Sequence, residues 1–534
     1  MARGTACHGS FAPQGSGTDG RIIRLTAYGR GPRPRIAAPS SSRQALLLSN
    51  QEYWQIDSLD ISGGSTYGIY VTGDKGPLHH LYLKNLYVHD VFGGSMRNKD
   101  NGLVVVGPSS AATVLNDVLI DGVDAARTNQ WSGILIGGGN FAWPANAPLN
   151  RNIIIRNSTA HDVYGDGIVL FRDQDGAIRT SAAWQTGMEP TQDVGTPNAI
   201  WTWTCTDCTV EDNEAYVTDS PGVDGGAYDI DWDNTRNTVQ RNFAHDTQGY
   251  CVAVFAAGYV TSDSTVRDNL CIANGLSPRL APLQGAVYMH AWNGGVIRGL
   301  HFEHNTIEWN PRVAGAAAIV NDAAFAGTSA TFTGNHILST SPLIYRLVSR
   351  WSSSKNTYTL AGEPIFDMDA QPNASLASLQ SAGFETGSTL QKSALAAPAA
   401  RSLRIEAGID PVLDEDGLLS PAARAQLVVL RSVAGQYSPD RLTVTIHLVA
   451  ANTSEALTNA IRDLDDVYPG ALRFEAGPSH NAAKDDTIRL LSAQGNLIEE
   501  WHRYQNAATL GGAVRAHLGP PDYSHMQSIT PEAR

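Results

Sequence analysis

The sequence predicts a mainly β chain, a right-handed parallel β-helix over residues 1–385, followed by a small α/β domain over residues 403–534. Three observations predict it. A short phrase ending in asparagine recurs along the first 335 residues. A second short strand, opened by a small residue, follows each copy of the phrase. Near residue 385 the pattern gives way to a linker, over 386–402, and then to alternating helical and extended segments.

The first phrase is two or three β-favouring residues, one or two polar ones, then Asn. It reads LYLKN to Asn85, IIIRN to Asn157, TVEDN to Asn213, TVQRN to Asn242, TVRDN to Asn269, HFEHN to Asn305 and FTGN to Asn335, and VLIDG puts Gly122 in the same place. Successive intervals are 37, 35, 56, 29, 27, 36 and 30 residues. Asn and Gly tolerate a left-handed backbone, so the series predicts a left-handed turn at one corner of every coil. The 56-residue interval contains residues 172–198, which read as the longest irregular insertion. Long loops on a rigid repeat commonly build a binding groove.

The second phrase appears as GIYV at 68–71, GLVVV at 102–106, GILI at 133–136, GIVLF at 167–171, GAYDIDWD at 226–233, CVAVF at 251–255 and GAVYMH at 285–290. Short strands without long intervening helices argue against a doubly wound sheet. Stacked coils would pair each strand with its equivalent about 4.8 Å away. A propeller blade would repeat at about 40 residues with more antiparallel hairpin signals.

The 51 glycines agree with many tight turns, and the formal charge of -14 argues against a nucleic-acid partner. No apolar run reaches the length of a membrane span. Five cysteines cannot all pair within one chain; Cys205 and Cys208 form a CxxC read as two small residues near a turn rather than a metal or redox site. No signal peptide is visible, and GSFAPQGSGTDGRIIRLTAYGRG at 9–31 reads as strand, turn, strand, so the natural first strand and leader are expected to have been removed or to lie upstream.

Side chains alternate along a strand. Ile69, Val71, Ile168, Leu170, Val287 and Met289 are expected inward, and Tyr70, Val169, Phe171, Tyr288 and His290 outward. The same alternation in GAYDIDWD sends Tyr228, Ile230 and Trp232 inward and leaves Asp229, Asp231 and Asp233 outside. Three aspartates in one strand run against β-propensity and raise one another's pKa, so they point to function. Asp229 and Asp231 would have Cα atoms about 6.5–7 Å apart. Carboxylates at about 5–10 Å suit glycosidic bond hydrolysis, one as general acid and one as nucleophile or base. Asp166 and Asp224 are equally placed to be the partner. Trp201 and Trp203, with Arg172, Asp173, Phe255, Tyr288 and His290, form the expected substrate-binding surface, since sugar C–H faces pack on indoles. Asp233 with Asn234 reads as a turn. The recurring pairs His89-Asp90, His161-Asp162 and His245-Asp246 read as a structural turn motif.

The stretch NAIWTWTCTDCTVEDNEAYVTDSPGVDGGAYDIDWDNTRNTVQRNFAHDTQGY, at 198–250, resembles the signature segment of bacterial right-handed β-helix repeat proteins of the pectate-lyase-like superfamily. FAPQGSGTDGRIIRLTAYGRGPRPRI resembles their first coil, and the likeness spans about residues 10–390. It implies a secreted, polysaccharide-acting protein. The superfamily holds lyases, hydrolases, epimerases and binding proteins, and neither a DPHE motif nor the Lys and Arg pattern of pectate lyases is present. The first expectation is therefore a glycoside hydrolase that needs no cofactor and acts on a polysaccharide or oligosaccharide. The alternative is a calcium-dependent lyase acting by β-elimination. It would need a base, and no lysine lies between Lys99 and Lys355, leaving Arg172, Arg179 or Arg241. A third is a non-catalytic adhesin or carbohydrate-binding protein.

Beyond the linker, residues 420–435, 454–467 and 510–518 read as helices, and 442–449, a segment near Leu472, and 486–492 as strands. DTIRLLSAQGNLIEEWHRYQNAATLGGAVRAHLG resembles the last hairpin and helix of thioredoxin-like domains. No cysteine lies beyond Cys271, so the resemblance implies no dithiol chemistry.

Overall fold

A computed structural model describes residues 1–93, 99–138, 143–144, 147–188, 196–322, 330–347, 351–368 and 371–392, and the backbone of five strands between Leu403 and Tyr504. The chain divides into two compact units, Met1–Leu395 and Ala396–Arg534. Among the described residues the first unit holds sheets of 13, 14 and 13 strands. Each coil visits them in fixed order. Leu78–Lys84 lies in sheet 1, Tyr87–Val91 in sheet 2 and Gly102–Val106 in sheet 3. Leu115–Asp121 then returns to sheet 1, parallel to Leu78–Lys84. This is the expected parallel β-helix. No helix among the described residues is long and apolar enough to cross a membrane.

The core follows from register. In sheet 1, Ile120, Ile155, Ile178, Val210, Val239, Val266, Phe302 and Phe332 stand in one column. All are buried, each contributing roughly 1.5–3 kcal/mol of apolar transfer as an upper bound. Sheet 3 supplies Ile69, Val104, Ile134, Ile168, Ile200, Tyr228, Val252 and Val287 as a second inward column. The small residue before these strands has a steric cause at Gly133, where a Cβ would sit 2.6 Å from the Ala160 Cβ.

The asparagine phrase conceals two positions. At the corner between sheets 1 and 2 the left-handed residues are Ser58, Asn85, Gly122, Asn157, Thr180, Asp212, Arg241, Asp268, His304, Gly334 and Lys355. Asn85, Gly122 and Asn157 occupy the turn as expected. Asn213, Asn242, Asn269, Asn305 and Asn335 do not: they stand one residue later, buried. There Asn213 donates through Nδ2 to Asn242 Oδ1 at 3.1 Å, and the relay continues through Asn269, Asn305, Asn335 and Asn356 at 3.0, 2.9, 3.0 and 3.2 Å. Ser181 precedes this ladder, and at its far end the buried Glu385 accepts from Asn356 at 3.2 Å and from Ser388 at 2.6 Å. An inward amide supplies both a donor and an acceptor to the coils beside it, which a turn residue facing water need not do.

Two boundaries differ from expectation. Residues 172–198 are not one insertion, since Ala177–Arg179 joins sheet 1 and Ala182–Trp184 joins sheet 2. The 56-residue interval hides a whole coil in which Thr180 and Ser181 replace the Asn phrase. Thr389–Lys392, expected in the linker, pairs with Thr357–Leu360 inside sheet 2.

The His-Asp pairs are turn motifs. His89, His161 and His245 bond the following Asp through Nδ1 at 2.6, 2.6 and 2.8 Å. Their Nε2 atoms meet Asp60, Asp124 and Glu214 of the preceding coil at 2.9, 3.2 and 2.7 Å. Cys205 and Cys208 are buried and free, and Cys251 is bonded to Cys271.

In the second unit, Leu403–Ile409, Leu442–Val449, Leu497–Tyr504, Asp486–Ser492 and Leu472–Pro478 form one sheet in that spatial order. The first three are mutually parallel and the last two pairings antiparallel. The helices expected at 420–435, 454–467 and 510–518 lie outside the described residues.

The ladder predicts a contrast between two asparagines. Asn269→Ala leaves buried groups unpaired and should cost about 3 kcal/mol or more. Asn85→Gly, at φ 52 in the turn, should stay within about 1 kcal/mol. Denaturant unfolding of the two variants checks this.

Candidate functional site

The outer face of sheet 3, from the corner where the chain enters it to the turn where it leaves, gathers most of the residues singled out above. Asp229 lies in register between Trp201 and Ala253 and points outward, as expected. The strand Tyr228–Ile230 ends sooner than expected. Asp231, Trp232 and Asp233 therefore lie in the following turn, and the three aspartates do not share one strand face. Asp231 is partly exposed and its Oδ1 accepts from the Trp232 amide at 2.8 Å. Asp233, at φ 61, faces Arg172 instead of the other acids.

Asp166 and Asp224 join Asp229 and Asp231. Asp166 is buried, its Oδ2 accepts from the Trp131 indole, and its Oδ1 accepts from the Asn198 amide at 3.0 Å. Asn198 links the cluster. Its Nδ2 reaches Asp229 Oδ2 at 3.4 Å, and its Oδ1 accepts from the Tyr250 hydroxyl at 2.8 Å. Asp229 Oδ1 is buried without a hydrogen-bond partner among the described residues. Burial is the main cause of every shift here. It pushes Asp229 well above the carboxylate range, helped by repulsion from Asp231 and Asp224. Burial also carries Asp224 and Asp231 up to about 7 each, and it raises Asp166. Lys99 opposes the rise at all four.

Lys99, Asn198 and Tyr250 were not among the expected site residues. Lys99 sits in the loop between Tyr87–Val91 and Gly102–Val106, and donates to Thr196 at 3.1 Å. Its ammonium lies 5.3 Å from the Trp131 ring and 5.4 Å from the Trp201 ring. That brings a lysine to a site expected to lack one. The loop carries no motif, so sequence offered no signal for it. Asn198 and Tyr250 hold equivalent positions just before their strands, which aligned coils could have revealed.

The expected binding residues divide. Trp203 stacks on Trp232 at 5.3 Å and lies tilted against Phe171 at 4.6 Å. Trp232 was expected in the core. It leaves the core because the strand has already ended, and it continues the outer aromatic row to Trp292 at 6.2 Å. Phe255 and Tyr288 pack there too, 5.7 Å apart. His290 meets Asp322 at 2.5 Å and Trp292 at 5.0 Å. Trp201 is buried beneath Lys99 with Val169 and Leu135. Arg172 is buried, its guanidinium 4.1 Å from the Trp143 ring and donating to the Ala147 carbonyl at 3.0 Å. Asp173 does not reach this face. It is fully buried, and its Oδ2 accepts from the Ile153 amide at 3.2 Å, so it serves the sheet 1 edge and not a substrate. Among the described residues no group of three His, Cys, Asp or Glu is arranged to hold a metal ion.

The family model described as right handed beta helix region matches residues 44–337, more than half of the chain. No curated protein matches the chain. Among solved structures, the GH136 lacto-N-biosidase from Eubacterium ramulus is 18% identical with a TM-score of 0.45, the match covering 63% of this chain and 61% of that one. This chain thus spans less than two thirds of that protein's length. The DFA-IIIase from Arthrobacter chlorophenolicus without its lid is 16% identical with a TM-score of 0.33, over 68% of this chain and 75% of that one. The alginate lyase from a Paenibacillus species is 14% identical with a TM-score of 0.24, over 74% and 88%.

A carboxyl held above its unfolded pKa binds more protons in the folded state, so its contribution to stability falls as pH rises. For Asp224 and Asp231 the fall should run from about 4 towards about 7. Asp224→Asn and Asp231→Asn should each flatten the decline in unfolding free energy over that window, measured by denaturation at several pH values.

Proposed function

The chain belongs to the right-handed β-helix family, and on that premise we propose that it is a secreted carbohydrate-active enzyme, a glycoside hydrolase acting on the outer face of sheet 3. The observation that carries this reading is the clustering of Asp229 and Asp231 with Asp166, Asp224 and Lys99 beside an aromatic row. Two neighbouring carboxyls with different surroundings can divide acid and base roles. Asp229 is buried and pushed well above the ordinary carboxylate range, which favours its protonated form and suits it to act as the general acid towards the glycosidic oxygen. Asp231 is partly exposed, and both the Trp232 amide and Lys99 favour its charged form. It is the ionised partner, nucleophile or base for water. Asn198 holds Asp229 and Asp166 in place. Trp203, Trp232 and Trp292 offer apolar contact to sugar rings. The Cys251–Cys271 disulfide suits an oxidising, extracellular setting.

One observation favours β-elimination as a second reading: Lys99 stands where a base would be needed. Elimination would give an unsaturated product that absorbs in the ultraviolet, and hydrolysis would not.

Asp229→Asn and Asp231→Asn should each lower turnover by about 10²–10⁴-fold while the thermal midpoint holds or rises. A reducing-end assay on a polysaccharide panel measures it, and full activity in both variants would remove the assignment. The wild-type rate should peak between the two ionisations, with its acid limb set by Asp231 near 7.

A further inference from the structure

We propose that the site takes an uncharged glycan and turns away uronic and sulfated ones; this inference rests on the hydrolase reading and narrows its substrate class. A polyanion needs cations free to meet it. Among the described residues on this face, the cations are already engaged. Lys99 opposes the charge of four carboxyls and donates to Thr196. Arg172 covers Trp143, holds the Ala147 carbonyl and faces Asp233. His290 is tied to Asp322. Arg279 holds the Gly222 and Ser220 carbonyls, and Arg346 those of Pro282 and Gly315.

The unsatisfied groups point the same way. Asp229 Oδ1 and Trp232 Nε1 are both buried without a hydrogen-bond partner among the described residues. A sugar hydroxyl can donate to the first and accept from the second. A glycan carboxylate would enter beside Asp224 and Asp231, which carry charge from about pH 7 upward. Like charges in a partly dry site repel strongly. The chain's net charge of -14 adds a longer-range field of the same sign.

The test uses the full chain and chemically matched pairs: polygalacturonate and its carboxyl-reduced galactan, alginate and its carboxyl-reduced form, and chondroitin sulfate before and after desulfation. A set of neutral plant and microbial glycans accompanies them. Affinity electrophoresis reads binding, and reducing ends with ultraviolet absorbance read products. Expected are at least tenfold tighter binding of uncharged members than of their charged counterparts, narrowing as salt rises, and products without ultraviolet absorbance. Tighter binding of a charged member with hydrolytic products would overturn the charge argument and leave the hydrolase standing. A charged member cut to an absorbing product would overturn both in favour of elimination. Binding of no glycan at all would overturn both together.

Discussion

Parallel pairing from coil to coil governs this molecule. Once strands stack at about 4.8 Å, a residue's nearest neighbours lie one coil away, some 30 residues along the chain. Each column must then be chemically compatible along its length. The inward columns meet this with Ile and Val. The corner between sheets 1 and 2 meets it with asparagine, because one amide can donate in one direction and accept in the other. Glu385 ends that relay by taking the last protons with a buried carboxylate.

The same stacking makes an acidic site costly and useful. Asp166 comes from one coil and Asp224, Asp229 and Asp231 from the coil two further on, with Asn198 of the coil between bonded to both sides. Burial raises the pKa of all four, and Lys99 alone among the named partners opposes the rise at each. The balance leaves Asp229 far above the ordinary range and Asp231 nearer neutrality. That difference is what a division into acid and base requires. The outer aromatic row beside them arises from the same geometry, with Phe171, Trp203, Trp232 and Trp292 coming from different coils.

Much of the fold was legible because its period is written in short phrases. The second-phrase strands, the inward set from Ile69 to Met289, and the outward placing of Asp229 all follow from alternation. Legibility ended where one letter stood for two places. Asn85 lies in a left-handed turn and Asn269 lies inside the ladder, yet both close similar phrases. It ended also where a coil lacked the letter, as at Thr180 and Ser181. Asp231 and Trp232 were misplaced because alternation was carried past the end of a strand at Ile230.

By itself, the sequence determined the stacked architecture, the sheet 3 face and the acids at its middle, since periodicity and side-chain alternation are local properties. Tertiary structure alone decided that Lys99 meets those acids, that Asn198 and Tyr250 brace them, and that Asp173 turns away. Such encounters depend on which loop folds over which coil. Chain spacing carries no record of that choice, because it is settled by burial and charge between segments about a hundred residues apart, as with Lys99 and Thr196.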